Sequence, residues 1–315
     1  MLQESRAATA GASTTMPNFL MIGAAKAGTT SLWRQLNQHP EVFMHPKKQL
    51  NFFALEGEDL SFRGVGPEDP ALHSITTIEA YREQFHGVAG EAAIGEASNL
   101  YLYNPRAAER IHTYLPDVKL IAILRHPADR AYSRFLHLVR EGREQITDFS
   151  RALDEEEGRV RGNWYPDFHY LRMGLYHEQL ERYFDRFPRE QIKIYLQEDL
   201  KSDPLGVLRD LFRFLNVDDA FVPDTSIEYN VSGIPKNRAL HLLLRKMRKA
   251  RPFVEPLLPD RQRRRILRVA SNVHNRNLTK PRLSPEMRER LIEAYREDTS
   301  KLERLIKRDL SAWLG

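Results

Sequence analysis

The chain of 315 residues is 29% charged and 41% hydrophobic, with a formal net charge of +5, a profile that fits one large or two small globular α/β domains. Having no cysteine, it can hold no disulfide, thiolate metal site or cysteine nucleophile, and it fits a reducing, cytoplasmic compartment. No apolar run approaches the roughly 20 residues of a membrane span, and the modest positive excess suits an anionic ligand without pointing to nucleic acid.

Residues 1–16 lack the apolar core of a signal peptide and read as a disordered tail. The run Asn18–Gly23, NFLMIG, carries no charge and reads as a strand buried on both faces of a parallel sheet. Leu32, Trp33 and Leu36 then recur at helical spacing, with Thr29, Thr30 and Ser31 as hydroxyls at the helix start. Between strand and helix lies Gly23-Ala-Ala-Lys26-Ala27-Gly28. Strand, small-residue loop and helix N-terminus together form an anion site, because unpaired N–H groups and the helix dipole converge there.

The loop has the glycine spacing of a P-loop, but Thr29-Thr30 stands where that motif has Lys-[Ser/Thr]. Lysine has moved to position 26, within reach of the terminal group of a bound nucleotide. This counts against magnesium-dependent nucleotide hydrolysis.

Glu41–Met44 reads as a second short strand, stopped by Pro46 before the polar Lys47-Lys48-Gln49. Residues 56–76, acidic and rich in Gly and Pro, read as a surface loop or lid. A helix over Ile78–Phe85 leads to Ala93–Tyr103, a strand end running into a loop. Asn104-Pro105 opens a helix through Tyr114, and Val118–Leu124 is the clearest strand of the chain. It enters Arg125-His-Pro-Ala-Asp-Arg130 and a helix with Ala131, Phe135, Leu138 and Val139 on one face. Arg125 and Ser133 are placed to grip one phosphate, or Arg125 simply pairs with Asp129.

The acidic run Asp154–Glu157 reads as a solvated helix face. Further on come a helix over Tyr170–Phe187, a strand over Ile192–Leu196, and a helix capped by Asp203 with Pro204 at its first position. Strands alternating with helices predict a mainly parallel sheet covered on both faces. Residues 236–268 hold 12 lysines and arginines against Glu255 and Asp260. They predict a basic helical region, with a solvated face or a peripheral membrane contact as its readings. Ser284-Pro285-Glu286 starts a closing helix.

These segments, FLMIGAAKAGTTSLW, KKQLNFF, GEASNLYLY, KLIAILRHPADRAYSRF, GLYHEQL and IKIYLQEDLKSDP, together resemble the sulfotransferases that use 3′-phosphoadenosine 5′-phosphosulfate (PAPS). The similarity is to the branch of heparan sulfate sulfotransferases and bacterial relatives, over residues 17–240. It implies a P-loop-like α/β domain over 17–315 and metal-independent, in-line transfer of a sulfuryl group to a small-molecule, lipid or glycan acceptor. Lys26, Ala27, Gly28, Thr29, Thr30 and Ser31 would hold the 5′-phosphosulfate, and Arg125 and Ser133 the 3′-phosphate. Lys236 and Arg238 would belong to a segment closing over the nucleotide, and Lys26 would neutralise the departing phosphate.

The sequence departs from that pattern at the base: Gln49 stands where heparan-type members carry a glutamate, Asn51 where a histidine is common, and Ala97 where a lysine is common. Glutamine accepts no proton in this role. His45, in the same loop, and Glu96, at a strand end, are the candidate replacements, each with the alternative of an ordinary hydrogen-bonded residue; His126 and His169 are weaker ones. A nucleotide kinase and a catalytically silent nucleotide-binding protein are the rival functions.

Overall fold

The computed structural model describes residues 15–66, 70–225, 233–237, 240, 273, 277–279 and 281–315. Strand β1 (Phe19–Gly23) is buried along its whole length. Strands β2 (Val42–Met44), β3 (Ala93–Ala97), β4 (Lys119–Leu124) and β5 (Ile192–Leu196) join it in a five-stranded sheet ordered β2-β3-β1-β4-β5. Every pairing in that sheet is parallel. A strand in such a sheet has no solvent side to reserve for polar residues, so FLMIG and LIAIL are continuous apolar runs.

Helices α1 (Thr29–Leu36), α2 (Phe52–Leu55), α3 (Ile78–Glu83), α4 (Leu100–Tyr103), α5 (Ala107–Tyr114) and α6 (Pro127–Glu141) occupy the first half of the chain. They are followed by α7 (Phe149–Asp154), α8 (Glu156–Arg161), α9 (Tyr176–Phe184), α10 (Gln197–Ser202), α11 (Pro204–Leu215) and α12 (Pro285–Ile306). From β1 the chain runs toward β2 on one side of the sheet; from β4 it runs toward β5 on the other. The carboxyl ends of β1 and β4 therefore border a crevice, the place where open α/β sheets bind ligands. The predicted Asp203 cap is present, its Oδ1 accepting from Gly206 N at 2.8 Å.

Four expectations need correction. The helix expected over Tyr170–Phe187 begins only at Tyr176. A Cβ on Gly174 would stand 2.7 Å from Tyr295 Oη, so the chain turns there to admit the α12 tyrosine. The segment after β3, expected as loop, contains the helical turn α4. The helix expected from Asn104 starts at Ala107, because Asn104 Oδ1 accepts from Arg106 N (2.9 Å) and closes a turn first.

The acidic run 154–157 is not simply a solvated face. Glu156 is buried and accepts from the N–H groups of Leu171 (2.7 Å) and Arg172 (2.8 Å), which would otherwise be unpaired at a chain reversal. Nearby, Glu144 accepts from Arg159 Nη1 (2.6 Å) and Nη2 (3.1 Å) and from Tyr170 Oη (2.7 Å). This buried unit ties the end of α6 to α8.

Of the basic stretch 236–268 only residues 236, 237 and 240 are described, so the expected basic helices lie outside the described residues, as do positions 1–14. No helix among the described residues is long and apolar enough to cross a membrane.

Candidate active site

The loop after β1 is short of side chains and rich in backbone donors. Gly28 caps α1 at φ 112°, a left-handed conformation in which a Cβ is strained, and no side chain caps the helix. The N–H groups of Thr29 and Thr30 are thus left for a ligand, while Ser31 N donates to the Gly28 carbonyl (3.0 Å). Lys26, at φ 69°, is held in the left-handed region as well. Arg125, at the carboxyl end of β4, donates from Nη1 to the Lys26 carbonyl (3.0 Å), joining the two loops across the crevice. Its Nε is buried without a hydrogen-bond partner, as expected of a guanidinium facing an anion.

A cleft of about 850 Å3 opens over this loop, lined by the whole run from Ala25 to Leu32 and by Lys48, Gln49, Asn99 and Arg125. That volume accommodates a nucleotide-sized ligand. Burial, and then the positive charges of Arg134, Arg140 and Arg125, push the Lys26 ammonium down to about 7. The site is overcharged in the absence of an anion.

The same cleft is also lined by Arg134, His137, Arg143, Tyr165 and Asp167. Asp167 pairs with Arg134 and, at 2.8 Å, with Arg143. Arg140 contacts His137 Nδ1 at 2.7 Å. Burial and the cations Lys26, Arg134, Arg140 and Arg143 hold the imidazole well below its usual range, and so neutral. Positions 134 and 137 fall one helical turn apart on α6, which is how one helix brings both to the cleft. The sequence reading singled out none of these groups; the i,i+4 spacing of His137 from Ser133 was the available signal for that one.

Of the residues predicted for the nucleotide, Lys26 to Ser31 and Arg125 line the cleft. Ser133 does not: it is buried on α6. Lys236 is exposed, donating its N–H to the Asn277 carbonyl (2.7 Å), outside the described cleft lining. Arg238 lies outside the described residues.

The predicted bases also separate. Gln49 lines the cleft at φ 65°, with its N–H donating to the Ala97 carbonyl (2.9 Å). His45 is buried between Phe43 and Phe85, with Nδ1 2.8 Å from the Lys47 carbonyl, and it is not in the lining. Glu96 is fully buried behind the cleft. It accepts from Ser98 Oγ (2.8 Å) and Tyr81 Oη (3.4 Å), while Ser98 Oγ in turn accepts from Asn51 N (3.0 Å). Weaker candidates fare similarly: His126 caps α6, and His169 Nδ1 lies 2.8 Å from Tyr103 Oη.

Burial pushes the Glu96 carboxyl up to about 7, against the hydroxyls of Tyr101, Ser98 and Tyr81 and the charge of Lys48, which favour ionisation. Between pH 4.5 and about 7 the folded chain then binds more protons at Glu96 than the unfolded chain, so this group makes stability fall as pH rises through that window. Glu96→Gln is expected to flatten that dependence. Urea unfolding of both proteins at pH 5 and pH 7 measures it, and an unchanged difference would show that Glu96 holds no such proton.

Against known proteins, the model of the sulfotransferase family matches residues 17–221. The membrane-associated sulfotransferase kil1 of Dictyostelium discoideum is 28% identical over 279 residues, covering 64% of this chain and 56% of its own. Heparan sulfate glucosamine 3-O-sulfotransferase 5 of Mus musculus is 27% identical over 221 residues, covering 69% and 56%. The chain thus spans little more than half the length of these curated relatives. A crystal structure of a sulfotransferase from Alicyclobacillus acidocaldarius superposes with a TM-score of 0.74 at 37% identity, covering 95% of this chain and 99% of that one. With the family match and a structural likeness along nearly the whole chain, the protein belongs to the sulfotransferase family.

Proposed function

We propose that this chain is an enzyme that transfers a sulfuryl group from PAPS to a hydroxyl or amine of a small-molecule, lipid or glycan acceptor, in line and without a metal. The observation that carries the reading is the convergence of Lys26 and Arg125 on the uncapped N-terminus of α1 at the sheet's crevice. PAPS supplies an activated sulfuryl group on a phosphate leaving group. Lys26 neutralises the charge that the departing phosphate gains, and the loop of Ala27 and Gly28, with Thr29, Thr30 and Ser31, holds its 5′ end. Arg125 holds the 3′-phosphate with a charge-assisted pair, supported from α6 by Ser133. The segment with Lys236 and Arg238 closes over the nucleotide in this reading.

Gln49 cannot take the acceptor's proton, and Glu96 acts as a positioning residue behind the loop that carries Gln49. An acceptor with an acidic hydroxyl, such as a phenol of pKa near 10, needs the least help. The rival kinase would need a carboxylate free to hold magnesium, whereas the carboxylate in the described lining, Asp167, is committed to Arg134 and Arg143. A cytoplasmic setting, with basic C-terminal residues touching a membrane surface, belongs to the same proposal.

The test is transfer of labelled sulfuryl from PAPS, with chelator present, to a panel holding a phenol, a glucosamine-containing glycan and a lipid alcohol. Turnover with any of them supports the enzyme. Binding of the nucleotide without turnover on any acceptor would favour the silent nucleotide-binding protein.

A further inference from the structure

Lys48 reaches the anion cradle from a different loop than Lys26 does. Its Nζ lies 3.1 Å from Thr30 Oγ1 and 3.4 Å from Thr29 Oγ1, donating to both hydroxyls at the start of α1, and its side chain lines the cleft. An ammonium has three donors, so two go to the threonines and one remains for the cleft. No carboxylate stands within ion-pair distance of it among the described residues. Lys48 is half-buried, and an ammonium partly withdrawn from water and served by hydroxyls alone gains from an anion that completes its shell.

Much of the local backbone is spent on this placement. Gln49 and Asn51 adopt φ 65° and φ 58°, in the left-handed region that non-glycine residues rarely occupy. Both are fastened to the end of β3, Gln49 N to the Ala97 carbonyl (2.9 Å) and Asn51 N to Ser98 Oγ (3.0 Å). Ser98 is held in turn by buried Glu96. The outcome is a lysine delivered to the threonines that begin α1. Burial and then Arg34 push its ammonium down to about 8, while Glu96 opposes them, so a bound anion would be the partner that restores its charge.

Resting on the sulfotransferase reading, we infer that Lys48 is a second catalytic cation, one that neutralises the oxygens of the sulfuryl group in flight while Lys26 serves the phosphate it leaves. In that step the acceptor oxygen or nitrogen bonds to sulfur and the bond from sulfur to the 5′-phosphate oxygen breaks. The electron pair stays on the phosphate, and the acceptor's proton is lost to water. Lys48 changes no bond; it lowers the energy of the charge spread over the sulfuryl oxygens.

Because the chain has no cysteine, Lys48→Cys creates a single alkylation site. Aminoethylation of that thiol rebuilds an ammonium at nearly lysine length. With the acceptor that the wild type uses, Lys48→Cys is expected to lower kcat by about 100-fold, and aminoethylation to recover at least a tenth of the wild-type rate. Affinity for 3′,5′-bisphosphoadenosine, which lacks the sulfuryl group, is expected to change less than the rate does. An undiminished kcat in the variant, or a loss that aminoethylation does not reverse, would overturn the inference while leaving wild-type transfer intact. A wild type with no transfer at all would remove the sulfotransferase reading and this inference with it.

Discussion

Lys26→Met is expected to lower kcat by about 100- to 1,000-fold, the usual effect of removing one preorganised group that meets charge developing in a transition state. Methionine keeps the length of the side chain and meets the same left-handed backbone, φ 69°, that lysine already tolerates. What it loses is a charge crowded by Arg125, Arg134 and Arg140. Stability is therefore not expected to fall with activity. Because the folded chain holds the ammonium at about 7 against an ordinary 10.5, the unfolded chain binds more protons between those values. This group's contribution to stability is then worst at pH 7 and below and improves toward pH 10.5. Lys26→Met removes the handicap, so its melting temperature at pH 7 should equal or exceed that of the wild type. A variant that loses activity only by unfolding would refute the catalytic role.

Glu144→Ala should produce the largest loss of stability among these changes, about 3–5 kcal/mol, because it strands a buried guanidinium. Arg159 is 6% exposed, and both of its terminal nitrogens donate to Glu144. Its guanidinium also lies 5.2 Å from the ring centres of Trp164 and Phe168, so it cannot readily swing into water when its partner is gone. Tyr170 Oη loses its acceptor in the same step. A chain of this size should melt on the order of 10 °C lower. Glu144 does not line the cleft, so nucleotide affinity of the folded variant should be retained. Calorimetry with a nucleotide titration checks both halves, and a loss under about 1 kcal/mol would mean that the pair contributes little.

Parallel-sheet strands announce themselves because burial on both faces leaves no polar alternation, and β1, β4 and β5 were legible for that reason. The turn from β1 into α1 was legible as well, since strand, small residues and hydroxyls are contiguous. Groups that meet only in three dimensions were not. Lys48 looked like part of a polar loop, and nothing in KKQLN shows that Gln49 and Asn51 turn left-handed and send Lys48 to Thr30. Arg143 and Asp167 are paired across 24 positions. Glu96 lies outside the described cleft lining because of its register: side chains alternate along β3, and this one points into the protein among Tyr81 and Ser98.

The central claim, that the loop from Gly23 to Ser31 holds a sulfuryl-donor nucleotide through protein cations, is tested most directly by thermal unfolding with 3′,5′-bisphosphoadenosine plus chelator. ATP with magnesium is the parallel arm. A ligand at 100 times its dissociation constant stabilises the folded chain by about 2.7 kcal/mol, a shift of several degrees at this size. The account predicts that shift with the bisphosphate and chelator, and its loss in Arg125→Met. Stabilisation by ATP with magnesium alone, or by neither nucleotide, would contradict it.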